Sequence, residues 1–153
     1  MEHGRESTHH ASEGPTEKCG VVGIALEDRS VARPLYYSLY ALQHRGQESA
    51  GIVTHDGFQQ YSHVDMGLVG DAFDEDDLSS LNGATGIGHV RYPTEGSIGT
   101  CCAQPFSVSF KSGSLGLSHN GNLVNADEIR DELANLGHAF TSDGDTEVIA
   151  HDI

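Results

Sequence analysis

Apolar positions along the chain follow two different periods, separated by polar breaks rich in glycine. Residues 1–18 are polar and aperiodic, with Gly14 and Pro15 near their end, and read as a flexible leader. Order is expected to begin at Cys19. Gly20 to Leu26 is a short apolar run suited to a buried strand. From about Val31 to Gln43, Leu35, Leu39 and Leu42, joined by Tyr36 and Tyr40, recur at helical spacing, and Pro34 suits a first helical turn. Gly51 to His55 and Phe58 to Val64 flank Asp56-Gly57, a strong hairpin signal. Asp71 to Leu81 reads as one short, acidic, solvated helix, and Gly86 to Tyr92 as a strand. Phe106 to Phe110 and Leu115 to His119 suggest a second hairpin around Ser112-Gly113. Asn125, three residues before Glu128, resembles a helix cap, with Ile129, Leu133 and Leu136 as the apolar face and Gly137 as the stop. A last helix is expected from Asp145 or Thr146, still running at Ile153, as in a chain cut inside an element. Hairpins bracketed by helices predict an α+β layered domain.

Length and charge narrow the function. The 153 residues allow one core of ordinary size, and 37% are hydrophobic. Lys plus Arg total 8 against 23 Asp plus Glu, a formal charge of −15. Such a surface repels phosphate backbones and anionic lipid, so neither a nucleic acid nor a membrane is an expected partner. No apolar run approaches the ~18 residues a membrane span needs, and residues 1–18 lack an apolar signal core, so a cytoplasmic location is expected. The charge density suggests adaptation to a salt-rich cytoplasm; the plainer alternative is a merely acidic protein. Three cysteines suggest no disulfide framework.

Cys19 stands where the polar leader meets the first strand. An isolated cysteine there is most simply a buried structural thiol. If the leader is removed, however, Cys19 gains a free α-amino group with an intrinsic pKa of roughly 8. That group can accept the thiol proton, so one residue supplies both nucleophile and base. Four further polar segments follow apolar runs, where loops usually carry sites. They are Leu42 to Gly51, Gly88 to Gly96, Ser118 to Leu123 and Asp145 to Val148. Each alone is weak, since Asn-Gly is commonly a turn and an Arg at a strand end commonly a surface charge. Cys101-Cys102 lack a second pair, His9-His10 lie in the leader, and Asp74 to Asp77 lack calcium-loop spacing. No metal site is expected.

Taken together, Cys19, His44-Arg45-Gly46-Gln47-Glu48, His89-Val90-Arg91-Tyr92-Pro93-Thr94 and His119-Asn120-Gly121-Asn122-Leu123 resemble the N-terminal-nucleophile (class II) glutamine amidotransferases. The likeness runs from Cys19 to Ile153. Within that class the phrases resemble those of the branch that uses phosphoribosyl pyrophosphate for purine synthesis. The resemblance implies a four-layer αββα sandwich, incomplete at its C-terminal side, with 1–18 as a propeptide and 19–153 as the amidotransferase domain. It implies Cys19 as nucleophile, and Asn120 and Gly121 as oxyanion donors, each typically worth about 3–4 kcal/mol of barrier. It implies Arg91 as the fork for the α-carboxylate of glutamine. Asp145 would be the partner of the α-amino group, or Asp143 instead, because Gly144 departs from the usual residue there. Arg45 and Thr94 take supporting roles.

The resemblance further implies no cofactor in this segment. Mg²⁺, and in some relatives a 4Fe-4S cluster, belong with phosphoribosyl pyrophosphate to a further C-terminal part, and the full-length form is expected to be a homo-oligomer. Two alternatives stay open: a class II enzyme acting on a sugar phosphate, and a fragment without activity. If the acidity is a salt adaptation, thermal melts in molar salt should lie well above those at low salt, because counterions screen the self-repulsion. Equal melting temperatures would refute it.

Overall fold

The computed structural model describes residues 19–92 and 102–153. The expected leader 1–18 and Thr94 lie outside them. Four strands form one antiparallel sheet in the order β1-β4-β2-β3. They are β1 (Gly20–Ala25), β2 (Ser49–His55), β3 (Gln60–Met66) and β4 (Thr85–Arg91). Strand alternation gives this sheet two different faces. Ala50 and Ile52 of β2 and Val90 of β4 turn one way and bury with Val31, Leu35 and Leu39. The last two belong to helix α1 (Ala32–Leu42). Gly86 and Gly88 let that helix approach: a Cβ on them would lie 2.8 Å from Leu35 Cδ1 and 3.0 Å from Leu39 Cδ1.

The alternate residues Ser49, Gly51, Val53, His89 and Arg91 face the other way. A two-stranded antiparallel sheet, β5 (Phe106–Phe110) and β6 (Gly113–Leu117), lies against that face. Gly116 rests on Val53, where a Cβ would stand 2.8 Å from Val53 Cγ1, and Gly51 sits directly under the Gln104 carbonyl. Helix α5 (Asp145–Asp152) packs on β5 and β6, and α4 (Ala126–Asn135) packs on α5. The order of layers is therefore helix, sheet, sheet, helix. Among the described residues no helix is long and apolar enough to cross a membrane.

Three local expectations change. The acidic stretch is two helices, α2 (Val69–Ala72) and α3 (Glu75–Ser80). Phe73 breaks them by turning extended (φ −131°, ψ 126°), and its ring packs against Tyr36 and His63. The acids are mostly structural: Asp74 and Asp77 form a reciprocal capping box, Asp77 also pairs with His63 at 3.1 Å, and Glu75 pairs with Arg33. Val69, Ala72, Phe73, Leu78 and Leu81 are buried, so this is no solvated face.

Second, Asn125 makes no side-chain cap; the first turn of α4 closes through the backbone, with Ile129 N–H donating to the Asn125 carbonyl at 3.2 Å. Leu133 is buried but Leu136 is 78% exposed, because the chain leaves the helix there through Gly137 at φ +97°. Third, the second hairpin turns one residue early, through Lys111-Ser112, since Gly113 already pairs with Phe110.

Gly46, which follows a 3-10 turn (Gln43–Arg45), is wedged against β4. A Cβ there would sit 2.6 Å from the backbone carbons of both Val90 and Arg91, which have no rotamer to escape through. Gly46→Ala should therefore destabilise the domain by about 1–3 kcal/mol, the usual cost of overpacking. Urea unfolding should show a lower midpoint at an unchanged slope.

Candidate active site

Cys19 immediately precedes β1, and the register Gly20↔Val90 carries it to the end of β4, beside Arg91 and Tyr92. Its thiol is half-buried, and the Tyr92 N–H points at Sγ from 3.4 Å. Its carbonyl accepts from Asn120 Nδ2 at 2.9 Å and from Arg45 Nε at 3.4 Å. Arg45 thus holds the start of the first strand through the Cys19 backbone.

Arg91 is 7% exposed, and its Nε lies 3.1 Å from Glu48 Oε2. The Glu48 N–H donates to the Arg91 carbonyl at 3.0 Å, so backbone and side chain tie the same two residues. Burying a guanidinium is costly without such a partner.

The loop after β6 supplies the next groups. His119 N–H donates to Gln104 Oε1 at 2.6 Å, anchoring the loop to the chain entering β5. Asn120 and Gly121 are exposed at its tip. A Cβ on Gly121 would lie 2.7 Å from His119 Nε2, so glycine lets the loop fold back on that ring. Leu123 N–H then donates to Asp145 Oδ2 at 2.9 Å, while Asp145 Oδ1 faces His119 Nδ1 at 3.6 Å.

These elements enclose a cleft of about 800 Å³ lined by Cys19, Arg91, Asn120, Gly121, Asp143 and Asp145, among others. Its size suits a small molecule. It holds a thiol, amide donors, a cation and an anion, a set that matches a zwitterion. Arg45 touches Cys19 from outside the cleft lining. Of the two candidate acids, Asp145 is anchored at the first position of α5 and Asp143 is exposed. Among the described residues no group of three His, Cys, Asp or Glu side chains is placed to hold a metal ion.

Sequence reasoning did not single out several supporting residues. Gln104 and Arg130 stand far in sequence from what they hold, and no local pattern marks them. Glu48 and Glu147 lay inside the quoted motifs but without a role. Glu147 is 1% exposed. Burial pushes its carboxyl pKa up, but hydrogen bonds from Ser142 and Thr141 pull harder, and the net shift is downward. His89, on β4 two residues before Arg91, is fully buried. Burial is the main cause of its pKa falling to about 4; an approach of the His119 backbone opposes this, and the charges of Arg91 and His119 reinforce it.

Residues 73–153 match the glutamine amidotransferase domain family. The chain belongs to that family. Its relatives include the amidophosphoribosyltransferase of Methanothermobacter thermautotrophicus, 50% identical over 137 residues, which cover 88% of this chain and 29% of the relative. The amidophosphoribosyltransferase of Bacillus subtilis is 46% identical over 139 residues, covering 90% and 29%. Among solved structures, the glutamine phosphoribosylpyrophosphate amidotransferase of B. subtilis, complexed with ADP and GMP, superposes with a TM-score of 0.77 at 45% identity, over 86% of this chain and 28% of that one. The chain therefore spans less than a third of the length of these relatives.

The depressed histidine sets a pH window. His89 ordinarily titrates near 6.5 and in the fold near 4, so the unfolded chain binds the extra proton. Stability from keeping it neutral is complete above pH 6.5 and is lost as pH falls toward about 4. At full expression the loss is roughly 3 kcal/mol. Urea unfolding between pH 7 and 4.5 should show this slope in the wild type and a flatter one in His89→Gln; identical slopes would remove His89 as its source.

Proposed function

We propose that this domain hydrolyses glutamine to glutamate and ammonia, with Cys19 as nucleophile. The observation that carries the reading is the convergence of a thiol, Asn120, Arg91 and Asp145 on one cleft in a chain of the glutamine amidotransferase family. Removal of residues 1–18 frees the Cys19 α-amino group, which takes the thiol proton. The sulfur attacks the side-chain carboxamide carbon and forms a tetrahedral intermediate. Its oxygen collects negative charge and is met by the Asn120 side chain and the Gly121 N–H. A carboxamide carries two N–H donors, so the bond from Asn120 to the Cys19 carbonyl leaves one for this oxygen. Collapse of the intermediate expels ammonia, with the proton returned by the α-amino group, and leaves a thioester. Water attacks the thioester through a second such intermediate and releases glutamate and the free thiol.

Recognition divides between opposite charges. Arg91 grips the α-carboxylate through its planar fork. Asp145, rather than the exposed Asp143, takes the α-amino group. Arg45 steadies Cys19 through its carbonyl, and Thr94 takes the supporting role its motif implies.

In the longer protein, ammonia would displace pyrophosphate from phosphoribosyl pyrophosphate to give 5-phosphoribosylamine for purine synthesis. The names of the relatives support this branch over one acting on sugar phosphates. Mg²⁺, any iron–sulfur cluster and the oligomer contacts belong to that longer form. We place the protein in the cytoplasm, and read its −15 charge as an adaptation to salt.

In the full-length protein, Cys19→Ser should abolish or nearly abolish glutamine-dependent activity while ammonia-dependent synthesis survives. Arg91→Ala should raise the KM for glutamine by about tenfold or more with the same sparing of the ammonia reaction. Loss of both activities in Arg91→Ala would overturn its assignment. Mass spectrometry of active enzyme should find Cys19 at the N-terminus.

A further inference from the structure

We propose that Glu147 and Arg130 are positioning residues for glutamine affinity, clamping residues 141–144 so that Asp145 is held against the loop bearing Asn120 and Gly121. The inference rests on the reading that Asp145 receives the α-amino group of the substrate.

The clamp acts from both sides of a short segment. Glu147 Oε1 accepts from the Thr141 N–H and hydroxyl, each at 2.8 Å. Its Oε2 accepts from the Ser142 N–H at 2.7 Å and the Ser142 hydroxyl at 2.6 Å. From α4, Arg130 reaches the carbonyls instead: Nη1 donates to Ser142 O at 2.8 Å and Nη2 to Gly144 O at 3.0 Å. Its guanidinium lies 4.5 Å from the centroid of the Phe140 ring. The segment is thereby held at amides by an anion and at carbonyls by a cation, in charge-assisted bonds.

This is not ordinary helix capping. Glu147 is the third residue of α5, and a capping-box acid at that position reaches back to the N-cap backbone. Here the N-cap is Gly144, without a side-chain cap, and Glu147 reaches past it to Thr141 and Ser142. The result is a folded loop rather than a capped turn. It fixes where α5 begins, and Asp145 is its first residue. Asp145 Oδ2 then bonds Leu123 N–H, two residues beyond Gly121. The loop bearing Asn120 and Gly121 has its own holds as well, the Asn120 bond to the Cys19 carbonyl and the His119 N–H bond to Gln104. Displacing segment 141–144 should move the amino-group anchor relative to Cys19 without touching sulfur, Asn120 or Gly121.

The test compares two substrates in the full-length protein: glutamine, and its analogue lacking the α-amino group, 5-amino-5-oxopentanoate. Glu147→Gln keeps the side chain's shape but loses acceptor capacity; Arg130→Lys keeps the charge but cannot reach two carbonyls. Each should raise the KM for glutamine by about tenfold, with kcat changed less than about twofold, and leave kcat/KM for the analogue unchanged. Asp145→Asn, at the anchor itself, should raise the KM for glutamine at least as much. Equal losses on both substrates in the two clamp variants would show a merely structural role and overturn the proposal. A raised glutamine KM in Asp145→Asn with neither clamp variant affected would sink the clamp alone. A glutamine KM unchanged in Asp145→Asn would sink the Asp145 assignment, and with it the route by which the clamp acts. If Glu147→Gln fails to fold, Arg130→Lys decides the question by the same criteria.

Discussion

The register between β1 and β4 is the constraint on which the site depends. Six consecutive pairs, from Gly20↔Val90 to Ala25↔Thr85, bind the two strands. One strand begins just after Cys19 and the other ends at Arg91. A slip of one residue would exchange the faces of a strand and send Arg91 into the helix-side core. The register is protected by glycine. Gly86 and Gly88 allow the leucines of α1 to lie directly on β4, so that face cannot accept the larger residues of the other. Packing on one side of the sheet therefore decides chemistry on the other.

Around that strand pair the polar groups are tied in series. Arg45 and Asn120 hold the Cys19 carbonyl, Glu48 holds Arg91, Gln104 holds the His119 loop, and Asp145 holds Leu123. Most of these partners come from different elements, and most bonds join a side chain to a backbone group. A backbone group cannot change rotamer, so such bonds fix loop position as well as satisfying buried polarity. Preorganised donors are what a reaction that develops charge on oxygen requires. The cleft is built by the same rule at both ends, with Cys19 and the amide donors toward β1 and Asp145 at the start of α5.

Acidity plays two parts in this molecule. Some acids pair with specific neighbours, as Glu48 does with Arg91 and Asp77 with His63. Others, such as Asp74 and Glu147, accept backbone N–H groups and hold loops or helix ends in place. The excess of carboxylates therefore includes residues that shape the fold, beside those that simply charge the surface.

By itself the sequence determined the strand and helix periods, the first hairpin, the stop at Gly137 and, through the family resemblance, residues Cys19, Arg91, Asn120, Gly121 and Asp145, which line one cleft, while Arg45 stands outside its lining. These are written in local spacing and in short phrases such as His119-Asn120-Gly121, where neighbours along the chain carry the signal. The tertiary structure decided the rest. Phe73 splits one acidic helix into two because Tyr36 and His63 offer its ring a place, and Leu136 stays exposed because α4 ends beneath it. The exposed Asp143 and the anchored Asp145 are equivalent in composition and differ only in what lies nearby. The holds of Gln104 on His119 and of Arg130 on the Ser142 and Gly144 carbonyls span 15, 12 and 14 residues. No local period records a hydrogen bond made by chain segments that meet only when the layers stack.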